Sequence, residues 1–145
     1  MWGTLMGSAR GHRVNRTARL QAARAFIENN LAWTELNPAN AARALGISVR
    51  QLHLLFEPTG TTFSRHLLAR RLERVRLALA DGPRRKVLDV AFSCGIESST
   101  VFYRAFRDAY GMNPTDYRRS LREREVVRAV YSGTAELRPE TVPLG

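Results

Sequence analysis

One local pattern occurs twice in this chain. It reads NPANAARALGISVRQLHLLF from Asn37 to Phe56 and KVLDVAFSCGIESSTVFYRAF from Lys86 to Phe106. In each copy a short helix signal runs into a glycine turn and a second helix signal follows. Ala42 and Ala91 precede the turn residues Gly46 and Gly95 by four positions, and apolar Ile47 and Ile96 follow them. Ser48 and Ser98 come next, residues able to cap a helix N-terminus. This is the sequence form of a helix-turn-helix, two helices crossing steeply around a turn that contains Gly. Two such units in one small basic chain suit the reading of two neighbouring stretches of DNA major groove.

The rest of the chain also has helical periodicity. Leu20, Ala23, Phe26, Ile27 and Leu31 predict a first helix from about Asn15 to Leu31. It is expected to follow an unordered, Gly-rich and basic N-terminus over residues 1–14. Asn37 and Pro38 open a short helix that runs to Leu45 and stops at Gly46. Ser48 caps the next, which buries Leu52, Leu55 and Phe56, and Pro58 and Gly60 break the chain after it. Thr61-Thr62 opens the longest helix, about Phe63 to Ala80. Phe63, Leu67, Leu68, Leu72, Val75 and Leu79 form its apolar face, with Arg65, Arg70, Arg71, Arg74 and Arg76 on its other faces. Asp81-Gly82-Pro83 ends it. A short apolar helix over Val87–Cys94, a recognition helix over Ser98–Tyr110 with Phe102 and Phe106 inward, and a last helix from Thr115 to about Arg128 complete the pattern. The tail from Ser132, with Gly133, Pro139 and Pro143, is expected to be irregular.

No strand alternation is visible, so the fold is expected to be all-α. Its organisation reads as an N-terminus (1–14), a first helix-turn-helix unit (15–60), a connector helix (61–81), a second unit (82–128) and a tail (129–145). About 18 connector residues span roughly 27 Å, against about 34 Å for one turn of B-DNA. A rigid connector of that length can hold two recognition helices near successive major-groove segments on one face of the duplex.

Charge narrows the partner. Lys and Arg total 23 against 13 acidic residues, a formal net charge of +10. Such an excess favours a polyanion, here double-stranded DNA. Other classes fit poorly. The single cysteine, Cys94, excludes a disulfide framework and argues against a cysteine metal site; it is expected to be a buried packing residue. His12, His53 and His66 share no ligand spacing, and neither a phosphate loop nor a nucleophile–base pair is present. No enzyme activity, metal or cofactor is therefore expected. No apolar run approaches the roughly 18 residues of a membrane span, and the N-terminus lacks a signal-peptide core. A cytoplasmic protein without membrane contact is the expectation.

Three spaced signatures carry a family resemblance. They are Ala91/Cys94/Gly95/Ile96, then Phe102/Arg104/Phe106/Arg107, then Gly111/Pro114/Tyr117/Arg118. With ALGISVRQLHLLF, the Gly60-Thr61 turn and RRLER of the long helix, they make residues 20 to 120 resemble the C-terminal DNA-binding region of AraC/XylS-type transcription regulators. The resemblance implies about seven helices of homeodomain-like type, two helix-turn-helix subdomains and a rigid connector. It also implies sequence-specific binding near promoters, usually as an activator, with RNA polymerase as a further partner. Most members carry an effector or dimerisation domain ahead of this region, and no small-molecule effector domain is evident here. The chain is read as a small stand-alone member or as the DNA-binding part of a longer, effector-sensing regulator. A non-specific or architectural DNA-binding protein is the alternative. No extended heptad seam is visible, so a monomer on two unlike half-sites is expected. Leu54 and Glu57 stand where basic residues are common, Ala41 is smaller than the branched residue expected there, and Lys86 replaces a Ser/Thr cap worth about 1 kcal/mol. The first unit is expected to read its half-site weakly.

The contact candidates follow from what the core leaves outside. In the first recognition helix these are Arg50, Gln51 and His53 for base edges, since Arg pairs with guanine and Gln with adenine. Leu54 is placed to touch a thymine methyl. In the second they are Ser99, Thr100, Tyr103 and Arg104. Ser48, Arg65, Ser98, Arg107 and Arg118 are candidates for phosphate. For each the bland alternative is a solvated helix face; Ser98 can also be simply a cap, and Arg118 a brace for the last helix.

Overall fold

Capping and apolar spacing divide the chain into helices much as its pattern suggests. The structure, a computed structural model, describes residues 2–81 and 85–133, with side chains from Asn15 onward. Among the described residues there are seven α-helices, one 3₁₀ turn and no strand. The helices are α1 (Trp2–Asn29), α2 (Pro38–Leu45), α3 (Val49–Phe56), α4 (Phe63–Asp81), α5 (Val87–Ser93), α6 (Ser99–Tyr110) and α7 (Pro114–Tyr131), with the 3₁₀ turn over Glu57–Thr59. The expected irregular tail beyond Gly133 and the Gly82-Pro83 stop lie outside the described residues.

Two boundaries differ from the sequence pattern. The helix α1 starts at Trp2, so the segment expected to be unordered is helical. A helix already nucleated and packed at its C-terminal half extends by one hydrogen bond per residue at little cost. Ala23 and Ile27 of α1 and Leu31 just beyond it provide that anchorage, all fully or almost fully buried. The last helix likewise runs on to Tyr131, past the expected stop near Arg128.

Side chains close the open helix ends. Asn37 and Asn40 exchange backbone-to-side-chain bonds of 2.9 Å at the start of α2, and Ser48 and Gln51 do the same at α3 (2.9 and 3.0 Å). Each satisfies two donors that a helix N-terminus leaves free. Ser98 caps α6 and Asn113 caps α7. By contrast α5 begins at Lys86 without a side-chain cap.

Two apolar clusters share α4. Phe63 and Leu67 join Ala23, Ile27, Leu52 and Phe56 in the first. Leu72, Val75 and Leu79 join Ala91, Phe102 and Phe106 in the second. The connector is thus core for both units as well as the link between them.

Arg71 departs from its expected outward position. It lies four residues from both Leu67 and Val75, on the buried stripe of α4, and is only 8% exposed. Its Nε donates to the Leu31 carbonyl at 2.9 Å and its Nη2 to the Trp33 carbonyl at 2.5 Å. The turn residue Gly95 packs on the same place. Its φ is +94°, and a Cβ there would collide with the Leu31 carbonyl oxygen and stand 2.8 Å from Arg71 Nε. At Gly111 (φ +77°) an added Cβ meets nothing within 4 Å.

A second junction joins α1 to α4. Glu28 accepts from Arg70, which holds its carboxyl below the usual range. His66 lies beside them with its ring 5.7 Å from that of Phe56. Burial pushes the His66 pKa below its ordinary value, and the nearby Arg24 and Arg70 charges push the same way while Glu28 opposes.

These features set three expectations. Gly111→Ala should cost about 1–2 kcal/mol, the left-handed strain alone. Gly95→Ala should cost about 3 kcal/mol or more, because it also disrupts a buried hydrogen bond; urea melts of the two variants test the difference. Lys86→Ser should stabilise the second unit by about 1 kcal/mol, read as a raised denaturation midpoint. Above about pH 6.5 the His66 imidazole is neutral whether folded or not; as the pH falls through that value the unfolded chain takes up a proton that the folded one resists, so stability declines. Below about pH 4.5 it falls again as Glu28 is protonated and loses Arg70. Melting temperatures across this range should lose the first decline, and keep the second, in His66→Gln.

Candidate nucleic-acid interface

Burial decides which face each recognition helix presents. In α3, Leu52 and Phe56 are fully buried and Leu55 nearly so. That turns Val49, Arg50, Gln51, His53 and Leu54 outward, all exposed. In α6, Phe102 and Phe106 are fully buried, with ring centroids 5.8 Å apart. Phe106 also meets Tyr110 and Tyr117 at 4.7 and 5.5 Å. Ser99, Thr100, Val101, Tyr103, Arg104 and Arg107 are exposed on its other side.

Two surface hollows gather most of the candidates. One, of ≈ 730 Å³, is lined by Arg50, His53 and Leu54 of α3 and by Thr62 and Arg65 at the start of α4. Glu57 lines it too, a carboxylate that opposes phosphate at this end. The other, of ≈ 430 Å³, brings Tyr103, Arg104 and Arg107 together with Asp108 and Asn113. Arg65 therefore stands beside the α3 face, although it is distant in sequence.

Arg70, Arg71 and Arg76 of α4 differ in their partners from the arginines lining the two hollows. Arg70 is tied to Glu28, Arg76 to Glu73 and the Tyr117 hydroxyl, and Arg71 to backbone carbonyls. Arg50, Arg65, Arg104 and Arg107 form no side-chain hydrogen bond or ion pair among the described residues. A long cationic side chain with no internal partner is available to an external anion.

Other candidates have internal work. Ser48 Oγ and Gln51 Oε1 are engaged in the α3 capping box, so Gln51 has its amide NH₂ left for a base. Ser98 Oγ accepts from the Val101 amide at 3.2 Å. Ser99 and Thr100 are exposed in the first turn of α6. Arg118 lies apart from both hollows. It is half-buried on α7, in a cleft of ≈ 320 Å³ with Leu79, Arg85, Val90 and Glu125, and its Nε is buried without a hydrogen-bond partner.

Val101 was not among the sequence candidates. It sits 47% exposed in the first turns of α6, as Val49 (39%) does in α3. Its position just before Phe102, off the Phe102/Phe106 stripe, was the available signal. Cys94 is buried, at the end of α5. No helix among the described residues is long and apolar enough to cross a membrane.

Comparisons with known proteins bear on the family and the fold. A family described as "Helix-turn-helix domain" matches residues 41–120. The transcriptional activator RhrA of Rhizobium meliloti (strain 1021) is 35% identical over 102 residues, covering 70% of this chain and 32% of its own length. The transcriptional activator NphR of Rhodococcus sp. is 34% identical over 106 residues, covering 73% and 31%. The chain thus spans about a third of the length of these relatives. Among solved structures, an AraC-type DNA-binding regulator from Chromobacterium violaceum superposes with a TM-score of 0.66 at 27% identity, covering 74% of this chain and 96% of that one. A DNA-binding transcriptional dual regulator from Escherichia coli K-12 gives 0.65 at 28% identity, covering 72% and 93%. A shared fold, shared relatives and a matched family span of more than half its length place this chain in the AraC-type helix-turn-helix family of transcription regulators.

Proposed function

We propose that the chain binds duplex DNA sequence-specifically, with α3 and α6 in two neighbouring major-groove segments, and regulates transcription from nearby promoters. The observation that carries this is the sorting of its arginines. Arg70, Arg71 and Arg76 are tied within the fold, while Arg50, Arg65, Arg104 and Arg107 stand without a side-chain partner among the described residues, on or beside the two recognition helices. Arg104 and Arg50 read base edges; Arg65 and Arg107 hold phosphate. His53, Tyr103, Ser99, Thr100 and the free amide of Gln51 supply further base contacts, and Ser48 and Ser98 can donate to phosphate while still capping. Arg118 braces α7 against α4 and α5.

The two recognition faces carry different residues, so they read different half-sites. A single copy on an asymmetric pair of blocks suits this arrangement. Like the activators it resembles, the chain would act by favouring RNA polymerase at the promoter, in the cytoplasm with the chromosome.

Selection of bound duplexes from a random pool at physiological salt tests this reading. Two enriched blocks about 10 base pairs apart are expected. Affinity that follows salt but not sequence would instead identify a DNA-coating protein. On the selected duplex, Arg104→Ala should weaken binding by about 1–3 kcal/mol and relax the preference at one base pair. Arg107→Ala should weaken all sequences alike and reduce the salt dependence. Gel-shift titrations at several salt concentrations separate these two effects.

A further inference from the structure

The N-terminal helix has more basic charge than its packing needs. From Trp2 to Ile27 α1 has arginines and no carboxylate; the first acidic residue of the chain is Glu28. Arg16 and Arg19 fall three residues apart, and in the sequence Arg13 and Arg10 continue that spacing. Like charges three apart on a helix repel one another. The stretch from Asn15 to Arg19 is exposed throughout, and neither Arg16 nor Arg19 has an ion pair among the described residues.

The placement of this stretch matters more than its charge. Asn15, Arg16 and Arg19 form one wall of a groove of ≈ 200 Å³, and Gln51 and Leu54 of α3 form part of the other. Gln51 and Leu54 belong to the outward face of α3, the face that enters the groove of DNA in the function proposed above. Arg16 and Arg19 therefore stand at the rim of that face. A phosphate backbone bordering a major groove that holds α3 has the charge and position to meet them.

We infer that α1 is a third DNA-contacting element, with Arg16 and Arg19 gripping the phosphate backbone beside the half-site read by α3. This inference rests on the proposed function. It assigns affinity, not sequence choice, to α1, and it offsets the opposing charge of Glu57 on the other flank of α3. It gives the weaker-looking first unit an anchor outside its own helix-turn-helix.

The test is the salt dependence of binding to the selected duplex. The wild type, the double variant Arg16→Ala/Arg19→Ala and a control, Arg122→Ala/Arg124→Ala, are compared. The control removes the same charge from exposed positions of α7. The α1 variant should flatten the plot of log affinity against log salt by roughly 1 per arginine, with base preferences unchanged. Ethylation interference at phosphates flanking the first block should disappear in that variant alone. An unchanged slope, or an equal flattening in the control, overturns the role of α1 and leaves the two-groove reading intact. If the wild type selects no motif, the two-groove reading itself fails and the α1 assignment fails with it.

Discussion

The Arg71 guanidinium is the point from which both halves of this molecule take their relative position. A buried cation is tolerable only when its donors are satisfied. Here two of them are met by the carbonyls of Leu31 and Trp33, in the turn that follows α1. The cation belongs to α4, the acceptors belong to the first unit, and the backbone of Gly95 from the second unit closes over them. Three segments remote in sequence thereby share one contact. The orientation of α6 relative to α3 depends on that contact, because α4 is core to both units and cannot rotate about its axis without breaking it.

Behind the recognition helices, polar and aromatic groups hold the second unit against α4. Glu73 accepts from the Tyr110 hydroxyl at 3.1 Å and from Arg76, which also donates to the Tyr117 hydroxyl at 3.3 Å. Arg76 stands 5.9 Å from the centre of the Tyr110 ring. The carboxyl of Glu73 is held below its usual pKa range, chiefly by Arg76, and burial raises that of Tyr110. The links run from α4 to the end of α6 and the start of α7. They fix α6 from its inner side and leave its outer face free. Arginine thus braces the interior through Arg70, Arg71 and Arg76, distinct from the external contact proposed for the exposed arginines, and composition alone cannot separate the two.

Much of the fold is legible in the sequence because the relevant signals are local. The caps at Asn37, Ser48 and Ser98 and the stripes through Leu52/Phe56 and Phe102/Phe106 fall where the pattern places them. Arg71 runs against the charge-based expectation because spacing governs its place: the Leu67–Arg71–Val75–Leu79 series lies on the buried face of α4. The helical start of α1 was hidden by its glycines, since local propensity does not register that a packed C-terminal half can propagate the helix backward. The candidate contacts were legible as exposed positions. Their grouping was not, because Arg65 meets the α3 face only through the fold and Arg118 is turned toward α5 by the packing of α7.

The shared connector makes the protein a ruler. The 19 residues of α4 are continuous and anchored at both ends in apolar clusters, so there is no hinge in the link. At about 1.5 Å per residue the link is roughly 28 Å long, shorter than the ~34 Å turn of straight B-DNA. In the function proposed above, a duplex that engages both recognition helices has to match the separation that α4 and the two packed units fix. Each base pair added between the half-sites would shift the second by about 3.4 Å and turn it by roughly a tenth of a turn. The continuous helix has no element to absorb that change, so under the proposed function operator spacing would be part of what is read, and the stiffness of the intervening DNA would count at positions that no side chain touches.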